Sequence, residues 1–273
     1  MSDPRPTIWR QTWLRAPAVS IILVLNAAVF LLWQFADDND ALANFMVTNF
    51  LISTVHLQEG YWWTLITSAF SHFELWHVAI NMFVLWSFGL ALEQLWGTRK
   101  FVAFYLIAAV AGSLAHCASS SFIEGDGAIP ALGASGAIAG MVLAYALHFP
   151  KRRLYFFFVI PVPAIVAVIG LVIYDLWGLI QQGRGGGSMI GHGAHLGGAL
   201  AGALLWLFYF RSRFPTQAER PTQSGAPITR DEALELHRIV AKVQTEGVEA
   251  LTPQERAFAE GMQEKMNRGA GAV

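Results

Sequence analysis

Leu132–Phe149 reads LGASGAIAGMVLAYALHF, a run without Asp, Glu, Lys or Arg that carries Ser135 near its start and His148 near its end. A bilayer core is roughly 30 Å thick and takes about 20 apolar helical residues to cross. Five other segments share this character, so the candidate spans are 16–35, 73–95, 101–121, 132–149, 154–180 and 189–210. Composition agrees: 55% of residues are hydrophobic and 14% charged, where a soluble domain carries about 25% charged. The expected fold is all-α membrane, a six-transmembrane-helix bundle. Arg5, Arg10 and Arg15 precede the first apolar run as they would in a signal peptide. That run is longer than a typical signal core and no small-residue cleavage site follows it, so it reads as a retained span.

Lys and Arg alternate between the junctions, which sets orientation. They sit in the N-terminal tail, at Arg99 and Lys100, at Lys151, Arg152 and Arg153, and at Arg211 and Arg213. Loops 36–72 and 122–131 have none, and Arg184 stands alone after span five. Both termini are therefore expected to be cytoplasmic. Trp33, Trp62, Trp63 and Trp177 then fall near outer ends and Trp96, Trp206 and Tyr209 near inner ones, as interfacial belts. The apolar stretch Ala41–Ile52 lies half-sunk in the outer interface or covers the bundle top. Three regions result: a tail 1–15, a six-span domain 16–210, and 211–273, a linker with a small cytoplasmic C-terminal helical tail. In that tail Thr229-Arg230-Asp231-Glu232 is a capping box, Gly247 a stop, and Thr252-Pro253 a second helix start. The lone Cys117 permits no intrachain disulfide, and a net charge of −1 gives no reason to expect nucleic acid.

Strongly polar side chains inside a span cost a few kcal/mol at least, so each asks for a reason. His77 and Asn81, four apart, share one face of span two. Ser135 opens span four and His195 lies early in span six. Counted from Pro130 and Met189 at about 1.5 Å per residue, both lie some 8–9 Å below the outer surface. Gly136 with Gly140 and Gly198 with Gly202 are small-xxx-small pairs that let helices approach closely in lipid. Packing spans four and six through them would bring Ser135 to His195. A neutral imidazole is the usual base for a serine hydroxyl, and the Ser135 backbone N–H, His77 and Asn81 are candidate donors to the oxyanion. Asp175 reads as a helix-end residue, so a dyad is expected. His56 and His72 read as loop or interface residues, and His116 as a hydrogen-bonded core histidine.

With His72-x4-His77-x3-Asn81 in span two, Gly133-Ala134-Ser135-Gly136 in span four, and Gly193-Ala194-His195-Leu196-Gly197-Gly198 in span six, the chain resembles the rhomboid family of intramembrane serine proteases, in the bacterial six-span form. The likeness covers roughly residues 55–210 and includes Glu93 and Gly97. It implies Ser135 as nucleophile, His195 as general base, His77 and Asn81 around the oxyanion, Gly133 and Gly136 as motif glycines, and span five as a mobile lateral gate. Three positions depart from the family: Thr64 follows Trp63 where many members have Arg, Ser68 stands where some have histidine, and Ala139 replaces a tyrosine that stacks on the catalytic histidine in some bacterial members. Something else must then orient His195.

The resemblance further implies single-span or multi-span membrane protein substrates within the lipid bilayer and no cofactor or metal. Two rivals are a metal or proton transporter using His72, His77, His192 and His195, and a rhomboid-like protein that binds helices without cutting them. Against the first stands the lack of a carboxylate expected among those histidines, and of an inverted repeat. Against the second stands the presence of both Ser135 and His195.

Overall fold

The computed structural model describes residues 16–156, 160–186, 190–214 and 229–270. The tail 1–15 with its three arginines, and the linker 215–227, lie outside the described residues. Contacts divide the chain into two compact units between residues 217 and 218.

In the first unit, helix α1 (Pro17–Ala36) leads through α2 (Asp40–Phe50), α3 (Thr54–Gln58) and α4 (Thr64–Thr67) to α5, which runs Leu75–Trp96 with one π-turn at Leu85–Gly89. Then follow α6 (Thr98–Phe122), α7 (Ser135–His148), the antiparallel strands β1 (Arg153–Phe156) and β2 (Ile160–Pro163), α8 (Ala164–Gly183), and α9, which spans His192–Arg213. Among the described residues five helices are long and apolar enough to cross a membrane: α1, α5, α6, α8 and α9. The fourth expected span is a shorter apolar helix of 14 residues. At 1.5 Å per residue it covers about 21 Å, which leaves roughly 9 Å of core thickness unspanned. Residues 132–134 lie outside the helix instead, held because Gly133 N–H donates to Ser68 O at 2.9 Å and Ala131 pairs with Ile52.

Span five also differs from expectation. Residues 153–156 and 160–163 pair as antiparallel strands rather than forming the inner turns of a helix, in the register Arg153 to Pro163. Pro161 and Pro163 lack the N–H a helix interior needs and their rings clash with the preceding turn. They exclude helix until Ala164 rather than loosening one. The interfacial tryptophans divide similarly. Trp62, Trp63 and Trp177 are exposed, whereas Trp33, Trp96 and Trp206 are buried. Trp33 donates Nε1–H to Ser71 Oγ at 2.7 Å and packs with Val29, Ala36 and Met46. Trp96 packs on Phe104 and Phe210. α2 carries Met46 inward while Phe45 and Val47 stay exposed, so it both covers the bundle and presents apolar surface outward.

α7 is the core of the bundle, with small buried residues facing α6 and α9. A Cβ at Gly198 would lie 1.9 Å from Gly136 O, one at Gly202 2.3 Å from Gly140 O, and one at Gly140 2.5 Å from Gly198 O. The glycine pairs on α7 and α9 thus meet backbone to backbone, as their spacing suggested. Glu93 ties the start of α1 to the end of α5. Its carboxylate accepts Ala18 N–H at 2.9 Å and Val19 N–H at 2.8 Å, and also Thr98 Oγ1–H at 2.7 Å. Two otherwise orphaned helix N–H groups are thereby satisfied at the positive end of the helix dipole. Glu93→Ala is expected to destabilise the unit by about 3 kcal/mol, from the lost charge-assisted bonds and the donors left buried; thermal denaturation in detergent reads this, and an unchanged midpoint excludes the role.

The second unit holds α10 (Arg230–Glu246) and α11 (Pro253–Ala270). Both starts are as expected: Thr229 and Glu232 form the reciprocal capping box, and Thr252 caps α11 with Glu255 reaching back to its N–H at 2.8 Å. Bonds from Thr252 N–H, Lys242 and Arg238 lower the Glu255 pKa to about 2 from an ordinary 4.5. Because the folded pKa is depressed, this contribution is complete above about pH 4.5 and is lost as pH falls toward 2. Amide protection factors across residues 229–270 should fall through that window, and Glu255→Gln should flatten the dependence.

Candidate active site

Ser135 is the first residue of α7, so its N–H has no acceptor within the helix. Its hydroxyl lines a cavity of about 880 Å³ together with His77, Asn81, Gly133, Gly136, Asp175 and His195, so every residue expected at the site borders one space. Gly133 has φ +127°, and a Cβ there would stand 3.0 Å from the His77 ring and 3.6 Å from Ser135 Oγ. Only glycine combines that backbone with that proximity. Gly136 lets the Ala194 carbonyl of α9 come close, since a Cβ there would be 3.2 Å from it.

His195 is oriented by an acid. Its Nδ1 lies 2.9 Å from Asp175 Oδ1, with the two side chains 21% and 12% exposed. Facing a carboxylate, Nδ1 carries the proton, which makes Nε2 of the neutral ring the accepting nitrogen. Asp175 is not a helix-end residue: it sits in the middle of α8 and points at α9, so the expectation of no acid beside His195 is corrected. Sequence spacing hid this because α8 and α9 are joined through residues 184–191, and only their packing sets which face of α8 meets His195. It also supplies what Ala139 takes away. Among the described residues no hydrogen bond within 3.5 Å joins Ser135 to His195; such contacts are often long without substrate and tighten in the complex.

The donors on α5 are arranged differently from expectation. Asn81 Nδ2–H donates to His72 Nε2 at 2.9 Å, and the Ala134 N–H donates to the same nitrogen at 3.3 Å. One Asn81 hydrogen is therefore committed, and the second remains for the cavity. His72 is no interface residue: it is fully buried and couples α5 to the turn before Ser135. Burial first, and His77 beside it second, push its pKa down to about 3, so it stays a neutral acceptor. Its place in His72-x4-His77-x3-Asn81 was the available signal. His116 behaves as expected, bonding Ile129 O at 3.0 Å through Nε2.

The four histidines of the transporter rival fall into two pairs. The His72 and His77 rings are 4.8 Å apart, and the His192 and His195 rings 6.4 Å. Contrary to expectation a carboxylate does join the second pair: the donor atoms of Asp175, His192 and His195 lie within 4.8 Å of one another, and these side chains are of kinds that hold transition metals. Their 2.7 and 2.9 Å contacts are hydrogen-bond distances; tetrahedral zinc ligands would stand about 3.3 Å apart.

A family model for the rhomboid domain matches residues 59–212. The chain belongs to the rhomboid family. Among its rhomboid relatives are RHOMBOID-like protein 12, mitochondrial, of Arabidopsis thaliana and Rhomboid protein 1, mitochondrial, of Saccharomyces cerevisiae. Each is 34% identical over 76% of this chain, covering 62% and 57% of the relative. The presenilin-associated rhomboid-like protein, mitochondrial, of Rattus norvegicus is 34% identical over 67% of this chain and 46% of its own length. The chain thus spans about half to three fifths of these relatives. They are mitochondrial proteins, so the bacterial subtype expected from the sequence is not what they favour. Family and helices together support a multi-pass membrane protein of the rhomboid family.

Proposed function

We propose that this rhomboid is a serine endopeptidase that cuts transmembrane segments of other membrane proteins, with Ser135 as nucleophile, His195 as general base and Asp175 as the acid that orients it. The Asp175–His195 bond carries this reading, because it fixes the tautomer in which Nε2 can take a proton on the cavity wall that Ser135 shares. His195 Nε2 accepts the Ser135 Oγ proton as Oγ bonds to the scissile carbonyl carbon. The negative oxygen is met by the Ser135 N–H, His77 and the second Asn81 hydrogen. The C–N bond breaks as His195 returns the proton to the leaving nitrogen, which leaves an acyl-Ser135 ester. Water, deprotonated by the same nitrogen, then releases the acid and restores the hydroxyl. Asp175 keeps the transient imidazolium paired throughout.

Substrate would reach Ser135 from the bilayer past α8, whose apolar window is only 22% buried against 50% for α6. Water would come through the loop-lined end of the cavity, where Glu124 and Gln182 sit. The Lys and Arg pattern supports a cytoplasmic position for both termini. A serine-directed fluorophosphonate should label wild type and not Ser135→Ala, and His195→Ala should label at least a hundredfold more slowly, the usual scale for losing a general base. Cleavage of a model single-span substrate should vanish in both variants. Equal labelling of wild type and Ser135→Ala would sink the assignment.

A further inference from the structure

His192 opens α9 three residues before His195, so both rings project toward α8. Its side chain is 3% exposed, and Nδ1–H donates to Asp175 Oδ1 at 2.7 Å, the same oxygen that takes the His195 proton. The ring fills a notch on α8. A Cβ at Gly178 would fall 2.2 Å from His192 Nε2 and 2.3 Å from Cε1, and Tyr174 meets the ring edge-on at 5.4 Å between centroids. Tyr174 and Gly178 are four apart and so lie on one face, either side of the turn that carries Asp175. Much of the rest of α8 is open: Leu171, Ile173, Leu176, Trp177 and Ile180 are all exposed. The Asp175 carboxylate thus belongs to the least enclosed of the five long helices and is held at α9 by two donors.

We infer that His192 is a positioning residue of the proteolytic reaction: its Nδ1–H fixes the Asp175 carboxylate, and through it the imidazole of His195. A carboxylate held only by His195 could swing about its own side-chain torsions and carry the base with it. A second, buried donor on the same oxygen removes that freedom, and it resides on α9, the helix that bears the base. The glycine at 178 is what permits it, since any side chain there would displace the ring. This inference rests on the protease reading above.

The test compares His192→Phe, which keeps a ring in the notch without the N–H, with His192→Asn, whose amide N–H stands near the place of Nδ1. Cleavage of a single-span substrate and fluorophosphonate labelling are measured in the full chain. His192→Phe should lower kcat about tenfold, the scale of one hydrogen bond to a charged group, with KM within about twofold. His192→Asn should recover to within about threefold of wild type. In an Asp175→Ala background His192→Phe should cost less than about twofold more, because the group it positions is gone. Wild-type kcat in His192→Phe, equal losses in the Phe and Asn variants, or full additivity with Asp175→Ala each overturns the inference. Should His192→Phe not fold, Gly178→Ala pushes the ring off the carboxylate without altering any site chemistry, and must show the same kcat loss. Failure of the protease reading is separately visible, as wild type that neither labels nor cleaves.

Discussion

Asp175→Ala is expected to lower kcat for a single-span substrate by roughly a thousandfold, with KM within about twofold of wild type. The physical reason is charge. During acyl transfer His195 becomes an imidazolium in a site where the Asp175 carboxylate is bonded to it, 2.9 Å away. Without Asp175 that cation forms unpaired in a low-dielectric space, where an uncompensated charge is most expensive. The ring also loses the contact that selects its tautomer. Asp175→Asn keeps an oxygen for both N–H groups but no charge, so it should fall between the alanine variant and wild type. That ordering separates electrostatic from steric loss. Retention of wild-type kcat within about threefold by Asp175→Ala would return the site to a Ser135–His195 dyad.

The second large effect lies in packing. Gly198→Val should abolish cleavage and lower the thermal midpoint, because even a Cβ would sit 1.9 Å from Gly136 O. Backbone cannot yield as a flexible side chain does, so α9 must move off α7. Overpacking costs about 1–3 kcal/mol where side chains rearrange, and a helix–helix backbone clash belongs at or above the top of that range. In lipid no water-driven force pulls the helices back together. His195, one turn from Gly198, would leave Ser135. Gly170→Ala on α8 is the control: a Cβ there meets nothing within 4 Å, and activity and midpoint should both hold. Normal cleavage by Gly198→Val would show that α7 and α9 do not depend on this contact.

These two positions also differ in how far they could be read from the chain. Gly198 was legible, because a Gly-x-x-x-Gly spacing in an apolar run has one main physical use and its partner on α7 has the same spacing. Ser135 and His195 stood out as candidates because polar groups in a span are costly and these two matched in depth, and His77 and Asn81 because their spacing put both on one helix face. His72 was visible as a motif member but not as the acceptor that holds Asn81 and Ala134. Asp175 was visible only as an acid near a helix end, and His192 only as one more histidine. The short α7 was misjudged, since apolar residues at 132–134 read as helix until their backbone is seen bonding to other loops. The proline-bearing start of span five was misjudged for a related reason: apolar character marks burial in lipid or protein and does not by itself mean helix.

The amino-acid order alone therefore determined the membrane class, the family motifs and the small-residue spacings, because periodicity, polarity and spacing act along the chain. Only the tertiary structure decided where α7 begins, that Glu93 holds the start of α1, and that one oxygen of Asp175 serves both His192 and His195. Those depend on which face one helix turns to another. That rotation is set by backbone contacts between glycines and by the notch at Gly178, which no local pattern encodes.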